Sequence, residues 1–131
     1  MRNISFAWTT PALVAGAKTV TRREWTDRYA RWFKKDMLVA AYDRQPRFKG
    51  KKVATLRLTA DAKKERYNDV TDDDWEDEGF AWLQEHGINM PVYDKGRRRR
   101  MIRPSVLFRT WRGNPDPVWV VRFEVISFEG E

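Results

Sequence analysis

Val118-Trp119-Val120-Val121-Arg122-Phe123-Glu124-Val125-Ile126-Ser127-Phe128 is the most strongly patterned stretch of the chain, with Trp119, Val121, Phe123 and Val125 at alternate positions. Alternation rich in β-branched and aromatic residues marks a strand with one buried face. Upstream, Val53 to Ala60 repeats the pattern: Ala54, Leu56 and Leu58 fall on one side, Thr55, Arg57 and Thr59 on the other. Met37 to Tyr42 is short and almost wholly apolar, which reads as a strand buried on both faces. Between these two runs, Asp43 to Gly50 sets Pro46 and Gly50 among basic residues and reads as a loop. Val106 to Trp111 is strand-like as well, with poorer alternation.

Helical signals separate the strands. Thr10 is placed to cap a short helix with Pro11 at its first position, and Gly16 to end it. A second helix is expected from Thr26, with Tyr29, Trp32 and Phe33 on its buried face and Lys34-Lys35 in its last turn. Thr71 opens the longest one, with Asp72, Asp73 and Asp74 at its positive end, and Gly87 closes it. Short strands mixed with helices predict an α+β fold. The strands are too many for a bundle, and no regular βα alternation supports a parallel sheet. A length of 131 residues, with no internal repeat and no linker, reads as one domain over 1–131.

Composition narrows the chemistry. The chain has no cysteine, which excludes disulfides and thiolate metal sites. A metal site at its one histidine, His86, would need three carboxylates around it, so neither metal nor cofactor is expected. The start, Met1-Arg2-Asn3-Ile4-Ser5-Phe6, lacks the apolar core of a signal peptide, and no apolar run reaches membrane-spanning length. A cytoplasmic protein with no membrane partner is the expectation. Net charge is +7, and its distribution is uneven. Acidic residues gather between Asp69 and Glu85, whereas basic ones cluster in Arg22-Arg23, Arg44 to Lys52 and Lys95 to Arg103. A positive face attracts polyanions, so the expected partner is RNA or another nucleic acid. Nothing in the sequence speaks to oligomeric state.

Ile4-Ser5-Phe6, Ala12-Leu13 and Gly16-Ala17-Lys18-Thr19-Val20-Thr21-Arg22-Arg23 resemble the ASCH domain, a branch of the PUA-like superfamily. Phe33-Lys34-Lys35-Asp36 with Val39 to Tyr42 is similar to a further element of that family, although Lys35 stands where glycine is usual. Asp77-Glu78-Gly79-Phe80 resembles the family's helix motif, and Trp119 to Glu124 its closing strand. The segment from Gly87 to Gly113 falls outside the resemblance. The resemblance implies a PUA-like β-barrel with flanking helices. It also implies a cleft bordered by the Lys18–Thr21 segment and the Glu78-Gly79-Phe80 helix, and RNA or a related nucleic acid as ligand. Some relatives remove the acyl group of N4-acetylcytidine and another group is associated with RNA cleavage, so fold alone does not fix the activity.

The residues themselves suggest a site. If 71–87 is one helix, Trp75, Glu78, Gly79, Trp82, Leu83 and His86 share a face. Glu78 then points into apolar surroundings and needs a cationic partner, for which Lys18, Arg22 and Arg23 are the natural candidates. A buried salt bridge and a catalytic carboxylate predict the same burial. Lys18 and Thr21 are three apart and face opposite sides of a regular strand, so they share a site only if the chain turns between them. Together, Lys18, Thr21 and Glu78 would supply an activating cation, a hydroxyl nucleophile and a proton shuttle for acyl transfer. The resemblance assigns those roles to the same residues.

Arg97, Arg98, Arg99 and Arg100 repel one another unless phosphate compensates. With Arg22, Arg23, Arg44 and Arg47 they are the candidate phosphate contacts. The run from Lys95 to Arg103 reads as a loop, which argues for positioning rather than base readout. Trp8, Trp25 and Trp111 lie beside loops or basic residues and are the candidates for base stacking. Three functions compete: a reader of single-stranded or modified nucleotides in a barrel cleft, a hydrolase acting on a modified nucleoside or an RNA-cleaving enzyme, and a basic domain that meets an acidic protein.

Overall fold

The computed structural model describes residues 1–93, 96 and 98–130. In chain order these form β1 (Arg2–Ser5), α1 (Thr10–Val14), β2 (Val20–Arg23), α2 (Asp27–Ala30), β3 (Leu38–Tyr42), β4 (Lys52–Leu58), β5 (Lys63–Arg66), α3 (Asp74–Asp77), α4 (Phe80–Glu85), β6 (Met90–Tyr93), β7 (Arg99–Ile102), α5 (Pro104–Arg112) and β8 (Pro117–Phe128). Short 3-10 turns occur at Ala7–Thr9, Pro46–Phe48 and Tyr67–Asp69. Six strands make one sheet in the order β1-β3-β4-β8-β2, with β5 also pairing β8. The fold is mixed α+β, with this sheet curled into a half-barrel.

β8 organises the sheet because it is long enough to serve three partners. One edge pairs antiparallel with β2, from Val20 opposite Arg122 to Arg23 opposite Trp119. The other edge meets β4 at its C-terminal half and β5 at its N-terminal half. β3 lies between parallel β1 and antiparallel β4, and its Val39, Ala40 and Ala41 are buried. Register shifts at Ala41/Tyr42 and Thr55/Leu56 are irregularities of the kind that bend and twist a strand pair.

Two apolar clusters divide the interior. Ile4, Phe6, Leu13, Phe33, Val39, Leu56, Leu58, Val121 and Phe123 fill the curl of the sheet. Ala12, Val70, Phe80, Leu83, Met90 and Phe108 join α1, α4, α5 and the β6–β7 hairpin on its flank. A smaller group sets Val118 and Val120 against Val20 and Tyr67. The first half of β8 is therefore buried on both faces, whereas Trp119, expected on the core face, is only partly covered and donates from Nε1 to Asp27 Oδ1 at 3.2 Å.

Five local expectations are corrected. The helix over 71–87 is two short helices, because Gly79 adopts the left-handed conformation, with φ +85°, and ends the first. Of its expected face, Glu78, Gly79 and Leu83 are buried and Trp75 and Trp82 pack on the flanking cluster, while His86 is exposed and stacks on Trp82. Val106 to Trp111 is helical, not strand-like. Pro104 starts α5, and Leu107, Phe108 and Trp111 recur at helical spacing toward the flanking cluster. The Thr26 helix is capped as expected, Thr26 Oγ1 accepting from Tyr29 N at 3.2 Å, but it stops at Ala30. Trp32 is consequently exposed, and Lys34 and Lys35 lie beyond its end. Thr10 begins α1 rather than capping it; Thr9 holds the cap position without a side-chain cap bond. Within the basic run, Arg99–Ile102 are strand rather than loop and pair antiparallel with β6, Met90 opposite Ile102 and Tyr93 opposite Arg99; Gly96 and Arg98 are outside any strand, and Lys95 lies outside the described residues. No helix among the described residues is long and apolar enough to cross a membrane.

Candidate functional site

Two glycines shape the site. Gly16, with φ +78°, ends α1, and the chain turns back with Ala17 N donating to Ala12 O at 2.8 Å. Thr19 is then clamped on both sides: its N–H donates to Asp77 O at 2.7 Å, and its carbonyl accepts from Phe123 N at 3.0 Å. Gly79 lets α1 come close, since a Cβ there would lie 2.7 Å from Ala12 Cβ and 3.2 Å from Lys18 Cβ. Glu78, at the end of α3, is thereby delivered to Lys18.

The result is a buried ion network. Lys18 Nζ donates to Glu78 Oε1 at 2.8 Å and to the Glu78 carbonyl at 2.9 Å. Arg22 bridges two carboxylates, from Nη1 to Glu78 Oε2 at 2.7 Å and from Nη2 to Asp74 Oδ2 at 2.9 Å. Asp74 also accepts from Thr71 N and from Arg122 Nη2, each near 3 Å. Lys18, Glu78 and Asp74 are at most 2 % exposed.

Burial pushes the Lys18 ammonium below its ordinary range. Glu78 opposes that shift, while Arg23 and Arg22 add to it, because they share the neighbourhood of one carboxylate. Burial alone would raise Asp74, but the Thr71 amide and the two guanidiniums outweigh it and hold the carboxyl below the usual aspartate value. Arg22, desolvated yet doubly paired, is held more firmly charged than usual. Its Nε is buried without an acceptor among the described residues.

Above this network lies a cavity of about 210 Å³. Lys18, Thr21, Arg22, Arg23 and Glu78 all line it, together with Phe6, Trp8, Phe80 and Trp111. The turn required between Lys18 and Thr21 exists, because Lys18 precedes β2 and its strand parity does not apply. Thr21 Oγ1 accepts from Arg23 Nε at 3.1 Å. Among the described lining residues, Lys18, Arg22 and Arg23 face the space against Glu78 alone, so its charge is positive.

The remaining candidates fall in different places. Trp8 is 45 % exposed at the rim, with the Arg99 guanidinium 5.1 Å from its ring centroid. Trp111 lines the cavity, 5.8 Å from the Arg22 guanidinium. Trp25 does not reach it; it stacks on Phe33 and faces a second, larger cavity that Arg47 also lines. Arg44, Arg98, Arg99 and Arg100 are exposed, the last two on β7. Arg97 lies outside the described residues. Asp74 and Arg122 complete the network and escaped the sequence reading. Asp74 had a signal, the four-residue spacing that stacks it over Glu78 on a helix; Arg122 had none without the β2–β8 register. Among the described residues no group of three or more His, Cys, Asp or Glu is placed to hold a metal ion.

No protein-family model and no curated protein matches the chain. Among solved structures, it is similar to protein EF3133 of Enterococcus faecalis V583, a crystal structure ascribed to the family model DUF984. The two share 16 % identity with a TM-score of 0.59, over 99 % of this chain and 82 % of that one. At that identity the likeness is one of fold.

Proposed function

We propose that this chain is an ASCH-type, PUA-like nucleic-acid-binding protein that holds one unstacked base of a single strand in the cavity above the Lys18–Glu78–Arg22 network. The observation that carries the reading is the excess of cations over carboxylates around a cavity walled by aromatic rings. Cations neutralise phosphate, and rings stack on bases of any sequence. The volume suits a single base, since pockets for drug-sized ligands span about 300–1,000 Å³. Both segments that the ASCH resemblance sets at its cleft, Lys18 to Thr21 and Glu78-Gly79-Phe80, contribute residues to this lining. Arg99 and Arg100 on the neighbouring hairpin supply phosphate contacts outside it.

One observation favours a second reading, a hydrolase for N4-acetylcytidine: the Thr21 hydroxyl and the buried Lys18 line the same cavity. Two others weigh against it. Both Glu78 oxygens are engaged by cations, and Thr21 accepts its hydrogen bond from a guanidinium, which cannot take up the hydroxyl proton. Incubating wild type, Thr21→Ala and Glu78→Gln with N4-acetylcytidine separates the two. A reader releases no acetate and leaves RNA intact, and single-stranded RNA shifts the indole N–H resonances of Trp8 and Trp111 but not that of exposed Trp32. Acetate released by the wild type, and lost in a stably folded Thr21→Ala, would make the protein the enzyme. Preference for an acidic peptide over RNA at equal salt would instead favour a protein partner.

A further inference from the structure

Arg23 lines two cavities. Besides the inner one with Thr21, it borders a neighbouring space of about 500 Å³ formed with Asn3, Ser5, Trp25, Gln45 and Arg47. Arg22 is committed to Glu78 and Asp74, but Arg23 is not. It donates to Thr21 Oγ1 and lies 5.4 Å from the Phe6 ring centroid, and among the described residues no carboxylate forms an ion pair with it. Glu78 acts on it only through space, and a half-buried guanidinium with no carboxylate in contact is left incompletely compensated, while its planar fork matches phosphate oxygens.

The lining of the outer cavity offers groups that suit a base as well as a phosphate. Asn3 and Gln45 carry amides, the groups that pair with base edges, and Trp25 supplies a ring. The Trp25 ring and the backbone that carries Gln45 are held in place. Trp25 stacks on Phe33 at 4.3 Å and meets Tyr29 edge-on at 5.1 Å. The loop bearing Gln45 closes on itself: Phe48 N and Gly50 N both donate to Gln45 O, and Lys51 N donates to Asp43 Oδ1 at 2.8 Å. Gly50 passes so near the Arg44 carbonyl that a Cβ would lie 1.8 Å from its oxygen.

We infer that the two cavities take consecutive nucleotides of one strand, with one base in each and the linking phosphate on Arg23. The ligand is then an oligonucleotide of at least two residues rather than a free nucleoside. This rests on the nucleic-acid reading above and narrows it.

NMR titration with cytidine 5′-monophosphate and the RNA dinucleotide CpC tests it. CpC carries less negative charge, so tighter binding cannot come from charge alone. CpC is expected to bind about tenfold more tightly than the mononucleotide, as a second linked contact allows. It should shift the Trp25 indole signal, which the mononucleotide leaves in place. Gln45→Ala is expected to weaken CpC about fivefold, the loss of a hydrogen bond. The same variant should leave the mononucleotide within about twofold, as for an independent site. Equal affinities for the two ligands, or a Gln45→Ala variant that weakens both alike, would overturn the two-nucleotide inference while the single-base reading stands. Failure of CpC, the mononucleotide and longer RNA alike to bind would overturn both.

Discussion

Glu78→Gln is expected to lower the unfolding free energy by about 3–5 kcal/mol, the usual cost of removing one partner from a buried ion pair. Glu78 is 2 % exposed, and its two oxygens are shared between Lys18 and Arg22, both buried. Glutamine keeps the shape but offers one acceptor and turns an amide donor toward a cation. Urea denaturation of the purified variant reads the loss as a lower midpoint at unchanged slope. Adding Lys18→Met should recover part of it, because one of the two stranded cations is then gone; the pair should be less destabilised than the sum of the single variants. Full additivity would mean that Lys18 and Glu78 are not coupled, contrary to their 2.8 Å separation.

The second large effect is expected at Gly79. A side chain there meets two penalties. Its left-handed backbone costs an ordinary residue about 1–2 kcal/mol, and forcing a methyl against Ala12 costs about 1–3 kcal/mol more. Gly79→Ala should therefore lose about 2–5 kcal/mol. Gly16→Ala is the internal control: φ is +78°, but nothing lies within 4 Å of its Cβ, so only the backbone cost applies. If the two variants prove equally destabilised, α1 does not crowd the α3–α4 break. Function should follow stability here, because the same approach brings Lys18 to Glu78.

What the sequence disclosed, and what it did not, follows the range of the forces involved. β4 and β8 are legible because period-two alternation is local, and Ala54, Leu56, Leu58, Val121 and Phe123 are buried where it puts them. The interruption at Gly79 is not, since a lone glycine is tolerated within a helical pattern and its reason, Ala12, is remote in sequence. α5 was readable in principle: Arg103-Pro104 opens a helix and Leu107, Phe108 and Trp111 sit on one side. The short apolar run nonetheless imitates a strand. At the site, Lys18, Thr21 and Glu78 meet on one cavity, and the signal for it lay in the resemblance and in the need of Glu78 for a cation. Arg122 pairs with Asp74 only because β8 lies against β2, a long-range register that local pattern does not encode. That Arg22 is doubly paired and Arg23 is not was equally invisible, though the two are neighbours in sequence.

The central claim, that a strand of nucleic acid binds here through its phosphates, is tested most directly by the salt dependence of affinity. Fluorescence anisotropy with a labelled single-stranded RNA, read at increasing salt, should give a straight line of log K against log salt. The slope should be about −0.7 for each phosphate neutralised, or about −3 for four phosphates. Arg99→Ser with Arg100→Ser, both exposed on β7, should flatten the line by about 0.7 for each phosphate no longer neutralised and leave the protein folded. An association that does not change with salt, or none at low salt, would contradict the account.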